Sequence, residues 1–284
     1  MHISSSWPFK PNKFKFYYGW VIWVASAVGI LCTIPGQTVG IAAFTDSLIT
    51  ALNISRTELS LAYLIGTIIS SFYLTRAGRW FDILGARMMI STASICFSLS
   101  IIYLSFVDTI GALLGGSNFA NLGAITFGFF LVRFLGQGVL TNCSRNSLLL
   151  WFNEKRGLVV GMRTVVISFG FSTAPLFLGN AIGIVGWKET LWFLALFVGV
   201  GFSALAFIFI RDNPKSCGLE MDGFISNFRI STREEVQSAT LAQAKKNPIF
   251  WVYSLSFCAH AMFVTAVIFH ITSIFAEAGK SPVE

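Results

Sequence analysis

Gly78-Arg79-Trp80-Phe81-Asp82-Ile83-Leu84-Gly85-Ala86-Arg87 forms a charged island between two apolar runs, residues 59–76 and 88–107. Glycine tolerates the backbone angles of a sharp turn, so Gly78 and Gly85 are expected to fold the chain back between two helices. The arginines should stay at the aqueous edge, with Asp82 as a lone acid to pair with them. Outward from this island, the measure of each run is the bilayer: a crossing helix takes about 20 apolar residues for a core about 30 Å thick. Five more stretches qualify, at 17–44, 121–140, 158–184, 190–210 and 249–275. Ser55-Arg56-Thr57-Glu58, just before the second run, has the capping-box pattern that satisfies free N–H groups at a helix start. The expectation is an all-α integral membrane protein with seven spans.

Composition agrees. The 284 residues are 55% hydrophobic and 12% charged, with 29 Phe and a mean hydropathy of +0.71. A soluble domain of this length has no interior able to hide so much apolar surface. The net charge of +7 does not make nucleic acid a partner, because phosphate recognition gathers basic residues on one face. Here they fall in the gaps between apolar runs. The cysteines Cys32, Cys96, Cys143, Cys217 and Cys258 follow no disulfide or ligand spacing, so neither metal nor cofactor is expected. An enzyme would need paired carboxylates, a His-rich cluster or a nucleophile with its base, and the sequence offers none. The lysines ahead of the first run suggest a signal peptide, but that run is too long and lacks a small-residue cleavage site.

One alternating set of connections holds nearly all the Lys and Arg, from Lys10, Lys13 and Lys15 through Arg76, Arg79 and Arg87 to Arg145, Lys155, Arg156, Arg211, Lys215, Arg229, Arg233, Lys245 and Lys246. The other set holds Arg56, Lys188 and Lys280. The positive-inside rule then puts the N-terminus in the cytoplasm of a plasma or inner membrane and the segment after the seventh span outside. The expected organisation is a cytoplasmic tail (1–16), a six-helix bundle (17–210), a polar cytoplasmic linker (211–247) broken by Asn213-Pro214 and Asp222-Gly223, and a seventh span with a short outer tail (248–284).

The Gly78–Arg87 island resembles the G-x-x-x-D-x-x-G-x-R loop of the major facilitator superfamily, at Gly78, Asp82, Gly85 and Arg87, with Arg79 beside them. The resemblance implies a six-helix N-terminal bundle and a loop that latches the two halves of a transporter. Arg133-Phe134-Leu135-Gly136-Gln137-Gly138 in the fourth span resembles the family's intramembrane Arg motif. An Arg at mid-membrane costs about 2.5–3.5 kcal/mol on insertion scales, so it should face a cavity or a partner. Ideal helical spacing puts Arg133, Gln137, Thr141 and Ser144 on one face. Two readings stand: a functional Arg, or a structural one bonded to backbone carbonyls. In the fifth span Gly161, Gly170 and Ala174-Pro175 resemble the antiporter pattern, with Ala where its last Gly belongs. Gly136, Gly138, Gly161, Gly170 and Pro175 are expected to serve helix packing. Arg163 in that span could hold an anion or snorkel to lipid phosphate.

Pro35-Gly36 interrupts the first span, and Gln37 and Thr38 follow. Such a break is tolerated where the helix lines a cavity, or is a simple kink. Tyr18-Gly19-Trp20, Trp151-Phe152 before Lys155-Arg156-Gly157, Gly218-Leu219, and Phe250-Trp251 with His270 resemble the oxalate/formate antiporter and monocarboxylate transporter branch. The resemblance implies small organic anions such as monocarboxylates, moved with protons or by exchange. Pro35-Gly36-Gln37 lacks the Lys found there in monocarboxylate transporters. Gln37, Thr38, Arg133, Gln137, Arg163 and His270 are the candidate substrate or coupling residues; His260 and His270 are also consistent with packing. Six spans, a linker and one more helix imply a partial chain whose C-terminal helical bundle lies elsewhere. A receptor or solute sensor on the same scaffold is the competing function.

Overall fold

The computed structural model describes residues 7–223 and 241–279, and the chain divides into two compact units, residues 1–224 and 225–284. Expectations that fall on residues 1–6, 224–240 and 280–284, including Arg229, Arg233 and Lys280, lie outside the described residues. All the regular structure described is helical, as expected.

The first unit begins with α1 (Gly19–Leu31), a 3₁₀ turn (Ile34–Gly36) and α2 (Thr38–Leu52), so the first span is broken where Pro35 removes a donor. α3 (Arg56–Ser105) opens on the capping box: Ser55 Oγ accepts from the Glu58 N–H at 3.2 Å, and the Ser55 N–H donates to Glu58 Oε2 at 2.7 Å. Its 50 residues cover two spans, because Gly85 at φ 79° leaves the helical region and turns the chain.

The charged island therefore differs from its expectation. Gly85 alone makes the turn, while Gly78 lies within the helix with open space around it. A Cβ on Gly85 would stand 2.5 Å from Asp212 Oδ1, and that same carboxylate oxygen accepts the Arg87 N–H at 3.0 Å. Asp82, carried outward by the continuing helix, is exposed and enters no ion pair among the described residues. Arg79 is exposed too, whereas Arg87 turns inward, donating from Nε to the Phe207 carbonyl (2.6 Å) and from Nη2 to that of Trp7 (3.0 Å).

Next come α4 (Val107–Leu113), α5 (Asn118–Val132), a π-helix (Arg133–Leu140) and α6 (Thr141–Leu149), the last three making the fourth span. α7 (Arg156–Val185) is the fifth; α8 (Trp187–Leu196), a second π-helix (Phe197–Phe202) and α9 (Ser203–Phe209) make the sixth. The half of α3 beyond Gly85 runs through the middle of the unit, with Ile90, Phe97 and Ile101 fully buried. Ser98 Oγ donates to the Ala195 carbonyl at 2.7 Å and Ser203 Oγ to that of Ser91 at 3.2 Å. In lipid, hydrogen bonds and close packing replace the hydrophobic drive between helices. Outward-facing Phe72, Phe119 and Ile184 are exposed, as a bilayer solvent requires.

At the end where the polar linker begins, Tyr18, Ile22, Trp151 and Phe152 form an aromatic and aliphatic core with Cys217. Tyr17 Oη donates to the Trp151 carbonyl and Tyr18 Oη to that of Phe209, both at 2.6 Å. Asp222, at φ 59°, accepts three N–H groups at the start of α7: from Asn153 (2.9 Å) and Glu154 (2.8 Å) on Oδ2, and from Lys155 (3.2 Å) on Oδ1. Residues 7–16 and 211–223 are thus packed parts of the first unit rather than a free tail and linker, which widens the expected bundle of 17–210 at both ends. At the opposite end Asp46 pairs with Arg56, and Asp108 with Lys188.

In the second unit α10 (Leu241–Lys246) precedes α11 (Pro248–Glu277), which is long and apolar enough to cross a membrane. Trp251 Nε1 donates to the Lys245 carbonyl at 2.9 Å across their junction.

Candidate functional site

The break in the first span meets the fourth span at Gly36. A Cβ there would lie 2.5 Å from the Val132 carbonyl oxygen, so only glycine lets the two backbones approach. The Arg133 side chain lies beside this crossing, 7% exposed, with Nη1 3.5 Å from the Gly36 carbonyl oxygen. Its guanidinium sits over the Tyr63 ring at 5.1 Å, and Tyr63 Oη shares a 2.9 Å hydrogen bond with Thr38 Oγ1. A guanidinium carries five N–H donors. One long contact and one aromatic face leave it undersatisfied, and Arg133 Nε is buried without a partner. Among the described residues, the one hydrogen bond from Arg133 goes to a backbone carbonyl, as the structural reading expects, and it leaves Nε for another partner.

The π-helix changes which side chains share Arg133's face. Its wide i→i+5 turns leave the Gly136 carbonyl accepting the Thr141 N–H and, at 3.1 Å, Thr141 Oγ1. Gln37 Nε2 donates to Thr33 Oγ1 (2.9 Å) and Thr141 Oγ1 (3.2 Å), tying the break to the fourth span. Ser144, expected on the same stripe, turns instead to α1, where Ser26 Oγ donates to its carbonyl at 2.6 Å. Arg145 takes its place beside the cavity. The even stripe assumed α-helical spacing through a segment that does not have it.

Gln37, Thr67, Ser70, Arg133, Gln137 and Arg145 line a cavity of about 310 Å³, with Thr141 and Asn142 among its other walls. Thr67 Oγ1 and Gln137 Oε1, like Arg133 Nε, are buried and unpartnered. Among the described residues, no carboxylate lines the cavity. The arrangement offers two cations and several hydroxyl and amide groups, and buried groups of this kind gain most from an occupant that answers them. Tyr63, Thr67 and Ser70 were missed in the sequence, although their i, i+4, i+7 spacing in an apolar run signals one polar helix face. A larger space of about 540 Å³ between α3 and α5 is walled mostly by apolar side chains such as Leu61, Ile65, Ile69, Phe127 and Phe130, with Glu58, Tyr73 and Thr126 also in its lining and, among the described residues, no cation.

Arg163 does not line the cavity. It is 5% exposed and donates from Nη1 to Ser26 Oγ at 2.9 Å, so it turns inward rather than snorkelling. Among the glycines, Gly136 is pressed against the Phe97 ring (2.5 Å from a built Cβ), Gly138 faces Leu74, and Gly170 admits Leu31 between α1 and α7. Gly161 has open space around it, because its side of α7 faces away from the rest of the first unit. Pro175 lies inside α7, half-buried. His260 and His270 lie on α11, the latter edge-on to Phe269 at 5.2 Å.

Comparison with known proteins bears on the family. The family model described as Major Facilitator Superfamily matches residues 25–281. A riboflavin transporter, RibJ of Trypanosoma brucei brucei (strain 927/4 GUTat10.1), is 25% identical over 96 residues, which are 34% of this chain and 18% of that protein. The chain thus matches just under a fifth of that relative's length. No solved structure matches the chain. With apolar helices of spanning length and a family match over nearly all its residues, this multi-pass membrane protein belongs to the major facilitator superfamily, a family of transporters rather than enzymes.

Proposed function

We propose that this chain forms part of a secondary transporter for a small organic anion, with Arg133 as the group that meets the solute. The observation that carries the reading is a buried guanidinium with an unpartnered Nε, beside a second Arg, in a cavity without a carboxylate. An uncompensated buried cation is unfavourable, and a carboxylate accepts the planar fork of an Arg bidentately. About 310 Å³ lies at the low end of ligand cavities, which run roughly 300–1,000 Å³. That favours a small solute such as a monocarboxylate.

In alternating access one helical bundle rocks against another around a shared site. Here Arg133, Gln137 and Gln37 supply one wall, and a second bundle supplies the other. The exposed Arg79 and Asp82, beside the rigid Gly85 turn, are available to that second bundle as a latch. The Lys and Arg asymmetry supports a cytoplasmic N-terminus and linker. Movement is by exchange or with a proton.

A second reading follows from the relative: a flavin-like solute, with Tyr63 and Phe171 by the cavity as aromatic surfaces. Uptake into vesicles carrying the complete transporter, with radiolabelled lactate, formate and riboflavin in separate assays, tests both. Saturable uptake of a carboxylate, reduced about tenfold or more by Arg133→Gln, is expected. Riboflavin uptake indifferent to Arg133→Gln would replace the anion reading with the flavin one. Saturable binding without uptake would make the protein a receptor or sensor.

A further inference from the structure

We infer that Arg163 and Arg145, with Ser26 and Ser144, form a second anion-binding subsite between the Arg133 cavity and the linker end of the bundle. Arg163 stands about two turns into α7, shallow enough to snorkel, yet it is 5% exposed and directed at α1. Only Nη1 has a partner, Ser26 Oγ at 2.9 Å, and Nε is buried without one. Ser26 spends its own proton on the Ser144 carbonyl (2.6 Å), while Ser144 Oγ is buried and unpartnered. Among the described residues, the one ionised group whose field reaches Arg163 is Arg145, another cation.

A buried guanidinium whose charged neighbour is a second guanidinium is unfavourably placed. An Arg has no escape by losing its proton. Two other buried arginines of this unit, Arg87 and Arg211, donate to backbone carbonyls. Arg163 is answered by one hydroxyl. The chemistry that completes the group is an oxyanion, a carboxylate or a phosphate, whose oxygens accept from guanidinium N–H and from a serine hydroxyl. Arg145 also lines the Arg133 cavity, so an anion here would be one step from it, held between solvent and the deeper site. Ser26, Ser144 and Arg163 lie outside that cavity's lining, so the subsite stands or falls apart from the role of Arg133.

The test is calorimetric titration of the full chain in phosphatidylcholine nanodiscs with inorganic phosphate and, separately, with lactate. The expected result is a class of binding weakened about tenfold or more by Arg163→Gln, while an Arg133-dependent class remains. Arg145→Gln, at an exposed position, should weaken this class and the Arg133-dependent class together without disturbing folding, because Arg145 also lines the Arg133 cavity. Adding phosphatidylglycerol to the discs separates the sources: suppression of that class supports the subsite with a lipid headgroup in it, and no suppression supports a free anion. Binding unchanged in both Arg163→Gln and Arg145→Gln overturns the subsite. If Arg133→Gln alone abolishes binding, the subsite falls and the proposed solute site stands; loss confined to the Arg163 and Arg145 variants supports the subsite and removes the role of Arg133. Absence of binding by the wild type overturns both.

Discussion

Asp222→Gly isolates a single interaction. Asp222 has a positive φ, which alanine would adopt only with strain of about 1–2 kcal/mol; glycine carries no such cost, so the variant removes the carboxylate and little else. What is lost are three charge-assisted bonds, from the N–H groups of Asn153, Glu154 and Lys155, at the start of α7. Bonds to charged groups contribute about 1.5–3 kcal/mol each when nothing replaces them. Residues 153–155 are exposed, so water recovers most of that, and the net loss should lie near the upper end of helix-cap effects, about 2 kcal/mol. For a unit of this size each kcal/mol moves the melting temperature by about 2–4 °C, giving an expected fall of about 4–8 °C. Asp222→Asn keeps the backbone angle and one acceptor oxygen but turns an amide NH₂ toward an N–H, and should fall by about half as much. The assay is thermal unfolding in one detergent at one scan rate, followed by tryptophan fluorescence, since buried Trp151 borders the contact. A melting temperature for Asp222→Gly within about 1 °C of wild type would refute the reasoning. The linker would then rest on the bundle through Cys217 with its aromatic neighbours and through Asp212 at Arg87.

Arg133→Lys retains a cation but loses the planar fork; uptake per inserted molecule should fall about tenfold with the melting temperature held, and near-normal uptake would reduce Arg133 to a structural role. Gly36→Ala pushes a Cβ against the Val132 carbonyl, so it should cost about 1–3 kcal/mol by overpacking and weaken solute binding by displacing Arg133, read as a melting shift together with a binding titration. Gly85→Ala meets both a positive φ and the Asp212 carboxylate, and should lower the melting temperature more than Gly78→Ala, which has open space. Burial raises the Asp108 pKa, but the hydrogen bond from Lys188, the Thr109 N–H and the Lys188 charge outweigh it and hold the carboxyl below its usual range. A depressed folded pKa adds stability above the unfolded value of about 3.9 and loses it as pH falls through the folded value. Melting curves from pH 6 down to about 3 should therefore show a smaller acid loss in Lys188→Gln than in wild type.

Much of this protein was legible as one-dimensional pattern. Span length, the Ser55–Glu58 cap and the Pro35-Gly36 break depend on neighbours in sequence or on the surrounding solvent, and each has a counterpart in the helices described. Arg133 stood out because a charge in an apolar run needs a reason wherever the chain goes. The rest was decided by contacts between distant segments. Asp212 and Asp222 were unremarkable linker acids until folding set one against Arg87, 125 residues away, and the other against Glu154, 68 residues away. Asp82, which the motif offered for pairing, was turned outward by the helix that carries it. The π-helix at residues 133–140 replaces i→i+4 bonds with i→i+5 bonds, which no apolar periodicity in the sequence announces. Phe97 packs against Gly136 within it and Gly36 crosses the span at Val132 just before it, and its wider turns leave Arg145 at the cavity and Ser144 at α1.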